Sequence, residues 1–138
     1  MILVSACLAG VECRYDGSSF PIPEVVEMVR RGEAIPICPE LLAGLPIPRP
    51  PAEHRDGKIV SKNGQDFTAD YLSGAKIGAE IAQLIACKKA ILKSRSPSCG
   101  SGWIYDGTFS GVRIQGNGVF AKMLKDNNVI VFTEESFL

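Results

Sequence analysis

The chain of 138 residues lacks an excess of charge of either sign, because 15 lysine and arginine residues balance 15 aspartate and glutamate residues. This balance argues against a broad electrostatic surface for a nucleic acid polymer or an anionic membrane. No stretch approaches the ~20 apolar residues of a membrane span, and no basic segment precedes the short apolar run at residues 1–7. We therefore expect a cytoplasmic protein that acts on a small molecule.

Histidine is nearly absent, since His54 is the only one, and no two cysteines are separated by just two residues. A compact zinc motif and a Cys–His catalytic pair therefore have little support. Five cysteines are present, which is an odd number in a chain without a secretion signal. In a reducing cytosol, thiols are more often metal ligands, nucleophiles or core residues than disulfides. These three roles are open to each cysteine.

The pattern of apolar residues predicts one α/β domain over residues 1–138, long enough to bury a core without disulfide or metal support. We expect a Rossmann-like, mainly parallel sheet of about four strands flanked by helices, with a small hairpin at residues 103–109 around Asp106 and Gly107. Residues 39–65 are rich in proline, which predicts an irregular functional loop over the site. The predicted strands are 2–6, 34–37, 90–93 and 129–132, and the predicted helices are 23–31, 66–88 with Asp66 as N-cap, and 119–126.

Three cysteines follow predicted strands of the sheet. Cys7 ends the first strand, Cys38 ends the second, and Cys99 lies in the loop after the third. Ligands of such sheets bind beyond the carboxyl ends of the strands, where these thiols can converge. Three thiolates suit a 4Fe-4S cluster with one open iron better than zinc, which takes four protein ligands in structural sites. The spacing alone leaves a single thiol nucleophile or buried core cysteines as alternatives.

Longer motifs extend over nearly the whole chain, namely SACLAGVECRYDG (5–17), PICPELLAGLPIPRPPAE (36–53), NGQDFTADYLSGA (63–75), LKSRSPSCGSGWIYDGTFSG (92–111) and GNGVFAKMLKDNNVIVFTEE (116–135). In these motifs the chain resembles the family known as domain of unknown function 523, whose members include thiouracil and thiouridine desulfidases. The resemblance implies a 4Fe-4S cluster on three cysteines, whose free iron takes the sulfur of a thiolated pyrimidine and releases it as hydrogen sulfide without net redox change. Carried over by motif, the ligands are Cys7, Cys38 and Cys99.

Hydrolytic removal of sulfur also needs a base for water and a source of protons. Glu40, two residues after Cys38, is the predicted base, and the resemblance supports that role. Ser96 and Ser98 precede Cys99 in a turn, where a hydroxyl can relay a proton or hold the substrate ring, and Ser96 is preferred. The structural alternatives are a glutamate that begins a helix or faces solvent, and serines that bond to the nearby backbone.

Three other residues have weaker functional interpretations. Cys13 lies six residues after Cys7 and is interpreted as a packing residue of the loop, with a fourth ligand or a redox partner as alternatives. Cys87 is predicted to be a core residue near the end of the long helix. His54 is predicted to be an exposed loop residue, because it has no companion for metal binding or acid–base catalysis.

The substrate is predicted to be a thiolated uracil base, nucleoside or nucleotide, bound by a monomer or homodimer. Arg14, Arg49 and Arg95 flank the cysteine motifs and can bind a nucleotide phosphate or lie isolated on the surface. Tyr105 and Phe109 are expected to pack in the hairpin or to stack on a pyrimidine. The alternative functions are a non-catalytic zinc or redox iron–sulfur protein and, less favoured, a thiol nucleophile centred on Cys99.

Overall fold

A parallel sheet of four strands organises residues 1–137, which are those that the computed structural model describes. The elements in chain order are β1 (Ile2–Ser5), α1 (Pro23–Arg30), β2 (Ala34–Ile37), α2 (Pro39–Leu42), β3 (Ala52–Arg55), β4 (Lys58–Ser61), α3 (Thr68–Leu84), β5 (Lys89–Leu92), β6 (Trp103–Tyr105), β7 (Arg113–Gln115), α4 (Val119–Asp126) and β8 (Ile130–Thr133). The strand order is β2-β1-β5-β8, and all three pairings are parallel. The predicted α/β fold is confirmed.

The two faces of the sheet are covered by different helices. Alternation along β1 sends Leu3 to the face that α3 and α4 cover, where it packs with Phe120 and Leu124. Val4 points to the opposite face, where it packs with Val25 of α1. All five side chains are fully buried, and each contributes about 1.5–3 kcal/mol by leaving water. The sheet is therefore covered on both faces. Ligands of such sheets bind beyond the carboxyl ends of the strands.

The helix α2 is positioned by direct contact with α3. Gly74 makes this contact close, since a Cβ atom there would lie 2.0 Å from the carbonyl oxygen of Pro39. Only a residue without a side chain leaves room for α2 at this distance. Because Cys38 immediately precedes α2 and Glu40 lies within it, the long helix determines where both residues stand.

The region 39–65 is more regular than predicted. It contains α2 and an antiparallel hairpin of β3 and β4, which pairs Ala52 with Ser61. The residues of the turn, Asp56 and Gly57, both have positive φ, as a tight two-residue hairpin turn requires. The prediction of an irregular loop was wrong here, because the density of prolines at 46–51 hid a short alternating pattern that follows them.

Two other predicted boundaries also change. The helix α3 ends at Leu84 rather than near Lys88, because Ala86 has a φ of 50° that no α-helix contains. Asp66 lies just outside α3, although its carboxylate accepts hydrogen bonds from the backbone and hydroxyl of Thr68 at 2.8 and 2.6 Å. No helix in the described part of the chain has the length and apolarity to span a bilayer.

The second hairpin is wider than predicted. Strand β6 pairs with β7, so residues 106–112 form the connection rather than a two-residue turn at Asp106 and Gly107. The carboxylate of Asp106 instead accepts hydrogen bonds from Thr108 within this connection. The Asp-Gly pair therefore begins a longer loop, whose residues reach the cavity described next.

Candidate metal centre

The three predicted ligand cysteines line one cavity of about 530 Å³ at the carboxyl ends of the strands. Cys7 lies in a short 3-10 helix after β1, and Cys38 joins β2 to α2. Cys99 lies in the segment Ser94–Gly100 after β5, which we call the serine loop. Residues separated by 31 and 61 positions in the chain thus face a common space, and their assignment as metal ligands stays a prediction.

A fourth thiol, that of Cys13, lines the same cavity. Its residue is only 2 % exposed, and the thiols of Cys7 and Cys38 lie close enough on either side to change its pKa. The interpretation of Cys13 as a residue that only packs the loop is therefore incomplete. The spacing of six residues after Cys7 was the signal for this proximity, but it did not reveal the contact with Cys38.

The pKa values of the thiols of Cys13, Cys38 and Cys99 are raised, so these three thiols hold their protons strongly. Burial raises the pKa of Cys99 to about 12. The neighbouring thiol of Cys38 lowers the pKa of Cys13, but Cys7 and burial raise it more, to about 11. The contact with Cys13, together with burial, raises the pKa of Cys38 above its usual range. Metal binding here must therefore displace protons, as it does at thiolate sites in general.

The carboxylate of Glu40 is held in place by the buried guanidinium of Arg49. Its carboxylate accepts a hydrogen bond of 2.9 Å from Nη2 of Arg49, whose side chain is 3 % exposed. Arg49 also donates to the carbonyl oxygens of Cys13 at 2.8 Å and Pro46 at 3.3 Å. The prediction that Arg49 binds a phosphate has no support in this geometry, because the guanidinium is buried and faces Glu40.

Tyr71 completes the surroundings of Glu40 and was not recognised in the sequence as a site residue. Burial and the neighbouring charge of Glu40 raise the pKa of Tyr71 above its usual range, so the hydroxyl keeps its proton. Tyr71 lies on α3 and lines the cavity. Tyr71 is also a core residue, with 3 % exposure.

The two serines of the serine loop have different surroundings. The Ser96 hydroxyl accepts hydrogen bonds from the backbone N–H groups of Ser98 at 3.1 Å and Cys99 at 3.0 Å, as the structural alternative predicted. Its own O–H stays available, and Ser96 lines the cavity. Ser98 is 1 % exposed, and its hydroxyl finds no hydrogen-bond partner among residues 1–137. Of these two serines, Ser96 lines the cavity and Ser98 does not.

The donor set fits a cluster better than a single ion. Thiols are the preferred ligands of iron–sulfur clusters, and four of them line this cavity. In the described residues, no three His, Cys, Asp or Glu side chains are arranged to hold one metal ion. A cluster spreads its ligands over several irons, whereas structural zinc gathers four donors at about 2.0–2.3 Å.

His54 differs from its prediction. It lies in β3 rather than in an exposed loop, and its Nε2 donates a hydrogen bond of 2.9 Å to the carbonyl oxygen of Pro97. Burial lowers the pKa of His54, so the ring is neutral near pH 7. The only histidine of the chain therefore joins the first hairpin to the serine loop, which the sequence pattern did not indicate.

Cations and aromatic rings line the cavity mouth. The guanidinium of Arg14 lies 5.9 Å from the ring centre of Phe20, and the ammonium of Lys93 lies 4.8 Å from the same centre. Arg95 is paired with Glu135 at 2.8 Å. Two further aromatic residues line the cavity from the second hairpin, namely Tyr105 of β6 and Phe109 of the connection.

The family model for 2-thiouracil desulfurase matches residues 2–136 of the chain. The chain belongs to this family. The resemblance drawn from the five motifs is thereby confirmed. The chain is 45 % identical over 144 residues to the uncharacterised protein YbbK of Bacillus subtilis strain 168, with 97 % of this chain and 95 % of YbbK covered. It also superposes on the solved structure of TudS, a 4Fe-4S-dependent thiouracil desulfidase, with a TM-score of 0.93 and 41 % identity over 97 % of this chain and 90 % of TudS.

Proposed function

We propose that this member of the 2-thiouracil desulfurase family is a 4Fe-4S-dependent desulfidase, which removes sulfur hydrolytically from a thiolated uracil compound. The observation that carries the proposal is one cavity in which Cys7, Cys38 and Cys99 stand beside the fixed carboxylate of Glu40. The cofactor printed in the name of TudS agrees with this donor set. In the overall reaction, a C=S group and water give a C=O group and hydrogen sulfide, so atoms balance and no net redox change occurs.

The cluster would be held by Cys7, Cys38 and Cys99. When bound, it supplies a sulfur-binding Lewis acid at the iron without a protein ligand. The ligand cysteines come from three different segments, each anchored to the carboxyl end of a buried strand, so the set is preorganised by the sheet. Cys13 is the neighbouring thiol that this assignment leaves unused.

Glu40 is the proposed general base, which accepts a proton from the attacking water. A carboxylate acts well in this role only when it is held in one orientation within reach of the water. Arg49 supplies this restraint, since its guanidinium is fixed by two backbone carbonyls as well as by Glu40. The protonated hydroxyl of Tyr71 borders the same carboxylate.

Ser96 is the proposed hydrogen-bond donor to the substrate. The backbone N–H groups of Ser98 and Cys99 fix its oxygen, so the remaining O–H can point toward a ring atom or relay a proton. The role that was predicted for Ser98 is not favoured, because its hydroxyl is buried away from the lining of the cavity. Ser96 is thus the proposed contact to the substrate, whereas Ser98 is proposed to be structural.

The substrate is a small thiolated pyrimidine. The cavity of about 530 Å³ lies within the ~300–1,000 Å³ that is usual for small-molecule sites. Phe20, Tyr105 and Phe109 line the cavity with aromatic rings, and Arg14 contributes a positive charge. These features suit a thiouracil base, nucleoside or nucleotide.

The proposal is tested by purifying the protein without oxygen and measuring its iron and acid-labile sulfide. The protein is then incubated with thiouracil and with thiouridine monophosphate, and hydrogen sulfide is quantified. We expect iron and sulfide in equal amounts and release of hydrogen sulfide from at least one compound. An active preparation that contains no iron would overturn the mechanism, and a full cluster without turnover would favour the redox alternative.

A further inference from the structure

Cys13 is a buried nucleophilic group that the proposed reaction does not use. Its position is fixed through its backbone, whose N–H donates to the carbonyl oxygen of Val11 at 2.8 Å and whose carbonyl accepts from Arg49 at 2.8 Å. The side chain lines the same cavity as Cys7 and Cys38 and packs in one cluster with them. The fold therefore holds a spare thiol directly against residues that would bind the cluster.

We propose that Cys13 protects the metal centre by forming a reversible disulfide with Cys38 when a peroxide destroys the cluster. This inference rests on the proposed function, because it takes Cys38 to be a ligand of the cluster. The disulfide would store the Cys38 sulfur in a form that a cellular dithiol can reduce, after which a new cluster can be assembled.

Cys38 is the partner for Cys13 because of its exposure and its surroundings. It is partly exposed, whereas Cys7 and Cys99 are 8 % and 5 % exposed, so an oxidant in the cavity reaches Cys38 most readily. Cys99 is the remaining predicted ligand, but it packs in the core cluster of α3 and α4, whereas Cys7, Cys13 and Cys38 share the other cluster. Among the ligand thiols, Cys38 therefore combines access for the oxidant with contact to Cys13.

Once the cluster has broken down, the Cys38 sulfur has left iron and taken up a proton from water, and the disulfide then needs one hydrogen peroxide as oxidant and no other co-reactant. Peroxide takes two electrons from the Cys38 sulfur, an S–O bond forms as the O–O bond breaks, and one water leaves. The Cys13 sulfur then attacks the sulfenic acid, so that an S–S bond forms, the S–O bond breaks and a second water leaves. Two thiols and one peroxide thus give one disulfide and two waters. Without Cys13, a second peroxide carries Cys38 to the sulfinic acid, which thiol reductants do not reverse.

The test begins with the holoprotein, which is treated with hydrogen peroxide until the visible absorption of the cluster is lost. Free thiols are alkylated, the chain is digested, and cross-linked peptides are identified by mass spectrometry. We expect two of the five thiols to disappear and a Cys13–Cys38 cross-link to form. Cys7 and Cys13 share one tryptic peptide, residues 1–14, so fragment ions must assign the linked cysteine. A Cys7–Cys13 link, or no link at all, would overturn the proposal.

A second measurement follows the recovery of the bound cluster rather than enzymatic activity. Oxidised protein is reduced with dithiothreitol and reconstituted with iron and sulfide, and the bound iron is measured. The wild-type chain should regain most of its cluster, whereas Cys13→Ser should regain little and should show sulfinic acid at Cys38. Cys87→Ser is the matched control, because the Cys87 thiol lies outside the cavity and donates to the carbonyl oxygen of Lys89. Equal recovery of the wild type and Cys13→Ser would refute the protective role.

The two possible failures are distinguishable. Absence of iron and sulfide from the anaerobically purified protein contradicts the proposed function before any oxidant is added. A complete cluster whose oxidation leaves Cys13 as a free thiol contradicts only the protective disulfide.

Discussion

The two sides of the candidate metal centre are held in place by different kinds of contact. On the acidic side, which comprises Cys38, Glu40, Arg49 and Tyr71, a buried ion pair joins α2 to the proline-rich segment that follows it. On the opposite side, the serine loop is held mainly by backbone hydrogen bonds from residues 118–121 and by close packing against Gly118, and Glu134 binds only its first residue, Ser94. Changes of charge should therefore damage the acidic side most, and changes of volume should damage the serine loop most.

The largest effect is expected on the acidic side, from removal of the proposed base. Glu40→Gln keeps the shape of the side chain but cannot accept a proton from water, so turnover should fall about 10²–10⁴-fold. Hydrogen sulfide release gives the rate, and iron content gives the cluster. Cys7→Ser is the contrasting variant, since it should lose the cluster itself. An active Glu40→Gln protein with a full cluster would show that another group activates water.

The second prediction concerns Arg49, the buried partner of the Glu40 carboxylate. Arg49→Met leaves the charge of Glu40 without its cation and two carbonyl oxygens without a donor, which should lower the free energy of unfolding by about 3–5 kcal/mol. Urea denaturation of the cluster-free chains measures the loss. Arg49→Lys keeps the charge but not the forked geometry, and it should lose less. A loss below 1 kcal/mol for Arg49→Met would mean that the ion pair is not important for stability.

Glu40 and Arg49 also show what could be predicted from the sequence. Glu40 was predicted to lie at the site because it stands two residues after Cys38, and it does line the cavity, while its role as a base stays a prediction. Arg49 was interpreted as a phosphate ligand, because sequence spacing does not reveal that a loop folds back and buries the guanidinium against Glu40. A residue whose role depends on neighbours close in the motif is predictable, whereas one whose role depends on the path of a loop is not.

The same distinction holds for the fold. The strands β1, β2, β5 and β8 were predicted within one residue, since short apolar runs between helices leave few arrangements other than a parallel sheet. The hairpin of β3 and β4 was missed, although Asp56 and Gly57 are a recognised turn signal, because the prolines before it suggested irregular chain. The prediction was correct where the chain shows a single periodicity, as in the strands of the sheet. It was wrong where a proline-rich segment directly precedes a hairpin.

The third prediction concerns Glu134, whose carboxylate binds Ser94, the first residue of the serine loop. Burial raises the pKa of Glu134, but hydrogen bonds from the backbone and hydroxyl of Ser94 and from Lys93 outweigh it and hold the pKa below its usual value of 4.5. The carboxylate therefore stabilises the fold fully above pH 4.5, and this contribution is lost as the pH falls through the lowered pKa. Glu134→Gln should cost about 1.5–3 kcal/mol at pH 7.

Denaturation of the cluster-free wild type and Glu134→Gln between pH 7 and pH 3 checks this expectation. The difference between their free energies of unfolding should shrink toward the acid end of the range. Glu27→Gln is a suitable control, because Glu27 forms only exposed ion pairs on α1. A difference that stays constant with pH would show that ionisation of Glu134 does not contribute.

The fourth prediction concerns volume at the serine loop. A Cβ atom on Gly118 would lie 2.4 Å from the backbone of Ser98 and 2.8 Å from the nitrogen of Cys99. Gly118→Ala should therefore lower the free energy of unfolding by about 1–3 kcal/mol and displace Cys99, with a loss of bound iron. Gly116→Ala is the matched control, since its Cβ would meet only the Ile104 side chain. Similar iron content in both variants would contradict a steric requirement at residue 118.

The smallest effect is expected at the hydrogen bond from His54 of β3 to Pro97 of the serine loop. Its loss in His54→Ala should cost about 1 kcal/mol, because a neutral hydrogen bond is replaced in part by water. The pKa of His54 is lowered by burial from its usual 6.5, so the unfolded chain binds a proton more readily than the folded one. The stability of the wild type should therefore decrease as the pH falls below 6.5, and that of His54→Ala should decrease less. Denaturation of both proteins from pH 8 to pH 5 measures the two slopes, and parallel curves would mean that His54 keeps its proton affinity on folding.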